Sequence, residues 1–125
     1  MPDYQHHRPE EWFREHLLDA FEALGPSVDT MAVRNWLIQR LRPALSPTDF
    51  EMVNNGQSER WWHLVHWNRQ RFSNEGLVYP GSRAPTATGT YVSPRGRWEL
   101  TEKGKQLIES RKSRPVIPIL SDQNS

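Results

Sequence analysis

The chain has 125 residues, of which 35% are apolar, with ten prolines, six tryptophans, no cysteine and a formal net charge of +1. That size suits one domain with a small core and leaves no room for a second, catalytic one. The missing thiols exclude a disulfide framework, a zinc ribbon and a cysteine nucleophile, and no stretch approaches the ~18 apolar residues of a membrane span.

In chain order, 1–8 are expected to be a flexible, polar start without the pattern of a secretory signal, which fits a soluble, cytoplasmic protein. The first predicted helix covers 9–24. Pro9 stands at its start, Glu10 and Glu11 favour its positive end, and Phe13, Leu17, Phe21 and Leu24 recur three and four apart. Gly25-Pro26 ends it. Asp29 is expected to cap a second helix over about 30–42 that buries Val33, Trp36, Leu37 and Leu41 and stops at Pro43.

Ser46-Pro47-Thr48-Asp49 predicts a short helix through about Val53, after which Asn54-Asn55-Gly56 turns the chain. Ser58 is expected to cap a third, longer helix reaching about Asn74. Its inner face would be Trp61, Leu64, Val65, Asn68 and Phe72, and Gly76 its stop. Leu77-Val78-Tyr79 and Arg97-Trp98-Glu99-Leu100 flank a Pro-, Gly- and Thr-rich segment, 80–94, and predict a β-ribbon with a long loop. Thr101 is expected to cap a last helix to about Lys112 with Leu107 and Ile108 inward. Residues 113–125 read as a linker or tail.

This order describes an α+β, mainly helical chain: a winged helix-turn-helix over 9–112 with a two- or three-stranded wing, whose third helix is the reader. Charge points the same way. Residues 1–59 carry five arginines against ten acids, a net −5, whereas 60–114 carry eleven Lys and Arg against four acids, a net +7. A dipolar chain of this kind can present one basic face to a phosphate backbone although its total charge is near zero.

A helix that enters the major groove needs an apolar inner side and a polar, basic or aromatic outer side. The outward positions of the third helix are Arg60, Trp62, His63, His66, Trp67, Arg69, Gln70 and Arg71, able to donate to phosphates and to base edges. The wing adds Arg83, Arg95 and Arg97, placed to reach a neighbouring minor groove or the backbone.

The stretch Trp61-Trp62-His63-Leu64-Val65-His66-Trp67-Asn68-Arg69, followed by Phe72, Gly76-Leu77-Val78 and then Gly96-Arg97-Trp98-Glu99-Leu100-Thr101-Glu102-Lys103-Gly104, resembles the N-terminal winged-helix domain of Mrr-type restriction endonucleases over about 29–110. Leu64 stands where that pattern has arginine and Asn68 where it has alanine, and the loop between the wing strands is longer. The resemblance implies a double-stranded DNA-binding specificity module in a prokaryotic cell, preceding or acting beside a nuclease domain in a modification-dependent restriction system and sensing N6-methyladenine. A methyl group on adenine N6 projects into the major groove, where an exposed indole can pack on it. Trp62 and Trp67 are the candidates for that contact, with Arg60, Arg69 and Arg71 on phosphates or guanines.

His63 and His66 are spaced three apart but lack further ligands at matching spacing, and no metal or cofactor is expected. Glu75, Glu99, Glu102 and Glu109 are scattered over different elements, unlike the clustered acids of a magnesium-dependent nuclease, so the chain reads as a binding domain rather than an enzyme. Glu99 and Glu102 are expected to pair with neighbouring Arg and Lys. Two other readings remain: a winged-helix transcriptional regulator, and a protein-interaction module in which Trp62 and Trp67 form an apolar patch.

Overall fold

The computed structural model describes residues 9–53, 55–81, 89 and 91–113. The expected flexible start, the tail beyond 113 and Arg83 lie outside the described residues. Helix α1 (Glu10–Leu24) begins after Pro9 with two acids in its first turn and buries Phe13, Leu17, Leu18, Ala20 and Phe21. Leu24, expected inside, is exposed. The helix ends there, and the chain leaves through Gly25 at φ 111°.

Strand β1 (Ser27–Asp29) was not anticipated. It occupies the segment between Gly25-Pro26 and the cap of α2 (Thr30–Leu41), and Asp29 serves both elements: it ends the strand, and its Oδ2 accepts from the Ala32 N–H at 3.0 Å. Val33, Leu37 and Leu41 are buried along α2, while Trp36 is half-buried beneath the Arg40 guanidinium, 5.0 Å from its ring.

Two short 3₁₀ turns follow, Arg42–Ala44 and Pro47–Phe50. The second replaces the helix expected through Val53. It stops because Met52 and Val53 form β2 (Met52–Val53) against β3 (Ser58–Glu59) across a tight turn with positive φ at Asn55 and Gly56. The same hairpin moves the start of α3 (Arg60–Asn74). Ser58 is held in β3 instead of capping, and Glu59, in extended backbone, precedes the first helical residue.

Helix α3 packs chiefly on α1, burying Trp61, Val65, Asn68 and Phe72. Asn68 is the buried polar member of this face, and its Nδ2 donates to the carbonyls of Glu10 and Leu64 at 2.9 and 3.0 Å. A buried amide with two partners ties α3 to the first turn of α1 without the cost of an orphaned donor.

Strand β4 (Arg97–Glu99) lies antiparallel to β1, with Val28 opposite Trp98, both buried. On its other side the chain meets the 77–79 segment through the Val78–Leu100 bridge, the Tyr79 N–H donating to the Glu99 carbonyl at 2.9 Å. The ribbon expected between 77–79 and 97–100 therefore exists as a single bridge, and the longer pairing of β4 is with β1. Glu99 accepts from the hydroxyls of Ser27 and Tyr91, and among the described residues no basic side chain forms the ion pair expected for it.

Helix α4 (Glu102–Ser113) closes the domain, capped as expected by Thr101, whose Oγ1 accepts from the Gly104 N–H at 3.0 Å and donates to the Gly76 carbonyl. Gly104 has no room for a side chain, because a Cβ there would collide with the Leu77 carbonyl oxygen. An exposed helical glycine is normally stabilised by alanine; here Gly104→Ala is expected to lower unfolding free energy by about 1–3 kcal/mol through that collision, and denaturant unfolding that finds the variant more stable would contradict this packing.

A second anchor is Asp49, fully buried, which accepts from the Ser46 N–H at 2.9 Å and from Arg60 Nη1 at 2.8 Å. Removing one partner of a buried pair leaves the other uncompensated. Asp49→Ala is expected to cost about 3 kcal/mol, read from the same unfolding curves. A loss under about 0.5 kcal/mol, the scale of ordinary surface substitutions, would mean that this pair does not anchor α3.

Candidate nucleic-acid interface

Helix α3 divides into three strips by what each side chain meets. The inward strip, Trp61, Val65, Asn68 and Phe72, is closed by α1. The strip beside the sheet holds Trp62, His66 and Arg69. Trp62 stacks on Trp98 at 5.8 Å between centroids with 18° between planes, and the Arg34 guanidinium lies 5.7 Å from its ring. His66 stands edge-on to both indoles, at 4.8 Å from Trp62 and 5.2 Å from Trp98. Trp62 is thus mainly a joint between α3 and the sheet, which narrows the pair of candidate methyl contacts towards Trp67.

The third strip faces away from the body. Trp67 is 50% exposed, and its Nε1–H donates to His63 Nε2 at 2.9 Å. In that bond His63 Nε2 is the acceptor, which leaves Nδ1 as the ring nitrogen that can donate. Because the indole's one donor is engaged, Trp67 presents apolar surface alone. Gln70 donates to Asn74 Oδ1 at 3.1 Å. His63, His66, Trp67, Arg69 and Gln70 together line an open concavity of about 220 Å³. A neighbouring one of about 350 Å³ is lined by Gln57, Ser58, Trp62, His63 and His66.

The expected cations behave differently from one another. Arg60 turns back to Asp49, Arg71 pairs with Glu10 at 2.6 Å, and Arg97 donates to the hydroxyl and carbonyl of Ser27 at 3.1 and 2.8 Å. Arg95 is exposed next to the Gly96 turn. Two of these cations, Arg60 and Arg71, are thus paired with acids from the first half of the chain. Arg111 adds to this by lying against three carboxylates of α1: Asp19 at 2.6 Å, Glu22 at 3.7 Å and Glu15 at 3.8 Å. Pairings of this kind join residues tens of positions apart, and helical periodicity carries no signal of them.

Among the described residues no three His, Asp or Glu side chains gather as metal ligands, and no helix is long and apolar enough to cross a membrane. No protein-family model, no curated protein and no solved structure matches the chain. The architecture itself is a mainly helical α+β domain with a small antiparallel sheet, and the partly open strip of α3 is its candidate interface.

His66 gives this region a pH signature. Burial, reinforced by the charges of Arg69 and His63, pushes its imidazole down to about 4. The folded value lies below the ordinary 6.5, so protonation favours the unfolded chain. Stability is full above about 6.5 and is lost as pH falls towards 4. His16, lowered chiefly by burial, acts in the same direction. Between pH 7 and 4.5 the His66 contribution is about 2 kcal/mol. Denaturant midpoints at the two pH values should show His66→Phe losing less stability than the parent by that amount; an unchanged loss would contradict a neutral, buried His66.

Proposed function

We propose that the chain is a winged-helix domain that binds double-stranded DNA, laying the outer strip of α3 in the major groove. Three features support the winged-helix reading: the helix order, the flanking of β4 by β1 and the 77–79 segment, and a sheet that butts against α3 through Trp62 and Trp98. A 15-residue helix is about 22 Å long and fits a groove about 12 Å wide.

The observation that carries the DNA reading is the outer strip together with its edge, where an indole, an imidazole and a carboxamide adjoin a half-buried arginine without a carboxylate. Each has a partner on a base edge or the backbone: the imidazole Nδ1–H for a purine N7, Gln70 for adenine N6 and N7, and Arg69 for a phosphate or guanine.

Trp67 is the residue we assign to a modified base. With Nε1–H engaged by His63 it offers no hydrogen bond to an unmodified edge but a flat apolar surface to a methyl group on adenine N6. On this reading the chain is the N6-methyladenine-sensing specificity module of a modification-dependent restriction endonuclease, working in the cytoplasm with an attached or associated nuclease domain.

Competition titrations against matched duplexes carrying adenine methylation, cytosine methylation or neither test it. Adenine-methylated DNA should bind tightest, and Trp67→Ala should reduce that preference by about tenfold, the scale of one base contact, while leaving the salt dependence intact. With about four phosphates contacted, log affinity should fall with log salt at a slope of about −3.6. Binding indifferent to salt would overturn the DNA reading, and equal affinity for the three duplexes would overturn the methyl contact.

A further inference from the structure

Arg69 is unlike the other buried or half-buried arginines of the described residues. Arg14, Arg34, Arg60 and Arg111 each meet a carboxylate, and Arg97 meets a hydroxyl and a carbonyl. Arg69 meets no hydrogen-bond acceptor among the described residues, and its Nε is buried with no partner. Its guanidinium lies 6.0 Å from the centre of the Trp98 ring. The backbone of Gly81 adjoins Nη1 and Nη2, which stand 3.5 and 3.7 Å from where a Cβ at that glycine would be.

An unneutralised charge held this way is costly, since burial disfavours the charged form, and that same burial draws its pKa down. A structural role would have supplied an acceptor, as it did for the other buried arginines. The surroundings are also uncompensated. His66 is kept neutral by burial, His63 Nε2 is taken up as the acceptor of the Trp67 indole N–H, and Gln70 and Trp67 carry no charge. Of the five residues that line the 220 Å³ concavity none is acidic, and Arg69 is the one arginine.

The geometry points to a single-anion site at the junction of α3 and the sheet, in which Arg69 takes one phosphate oxygen, with the DNA backbone as the source. It deepens the DNA reading and rests on it for that source. The site separates two jobs along one helix: Arg69 fixes where α3 stands against the backbone, and Trp67 and His63, two and six residues earlier, meet the bases. A backbone contact of this kind sets register and carries no sequence information. The low-dielectric surroundings of Trp98 strengthen the attraction to a phosphate relative to an exposed arginine.

Three measurements on the wild-type chain, Arg69→Met and Arg69→Lys test it. Without ligand, Arg69→Met should unfold at the same or higher denaturant concentration than the parent, because an uncompensated charge is replaced by an apolar side chain of similar length. A clear loss of stability would make Arg69 a structural stacking residue and overturn the site. On duplex DNA, Arg69→Met should weaken binding to methylated and unmethylated duplexes equally and make the salt slope about 0.9 less negative, with Arg69→Lys recovering part of the slope. A slope unchanged in Arg69→Met overturns the site while leaving DNA binding in place. Inorganic phosphate, followed through the Arg69 Nε–H resonance of nitrogen-labelled protein, separates the two readings. Phosphate that moves this resonance in a chain that ignores DNA keeps the anion site and removes the DNA backbone as its source; a resonance unmoved by phosphate and by DNA alike overturns both.

Discussion

Helix α3 is committed on most of its circumference before any partner arrives, and that constraint organises the rest of the structure. Its inner strip is closed by α1 through Trp61, Val65 and Phe72 and pinned by the Asn68 amide. Its N-terminal end is held by the Arg60–Asp49 pair and the β2–β3 hairpin. Its flank is joined to the sheet by the Trp62–Trp98 stack. What remains is one narrow strip, and it owes its fixed geometry to the three sides that are taken. A reading surface gains from such rigidity, since side chains already in place lose less freedom on binding.

The distribution of charge follows from the same constraint. Acids of the first half and bases of the second are separated along the chain but meet across the fold, as in Arg71–Glu10 and Arg111 among Asp19, Glu22 and Glu15. An exposed pair such as Arg71–Glu10 contributes little to stability, about 0–1 kcal/mol, but it removes positive potential from that part of the surface. The cation left without a carboxylate on α3 is Arg69, next to the aromatic strip. Local unneutralised charge, more than the total over the second half of the chain, marks the candidate interface.

Much of the fold was legible because it rests on short-range chemistry. The caps at Asp29 and Thr101, the stop after Asn74 and the apolar spacing of α1, α2 and α3 all appear where local preference places them. The misplaced elements are those decided by distant partners. Ser58 looks like a helix cap, but pairing with Val53 holds it in a strand, and Ser27-Val28-Asp29 is too short to declare itself without β4 opposite. In the candidate site, helical phase separated the inner face from the outer. It could not distinguish Trp62 from Trp67, whose fates differ because Trp98 comes from across the sheet. Nor could it foresee that Arg60 and Arg71 would find carboxylates while Arg69 would not.

The most direct measurement is a map of backbone amide resonances as a short adenine-methylated duplex is added to the whole chain. The largest changes should fall on His63, His66, Trp67, Arg69 and Gln70, with a second group at Arg95 and Gly96. Changes centred instead on the opposite side of the domain, around Asp19, Trp36 and Arg40, or none at all, would contradict the DNA reading.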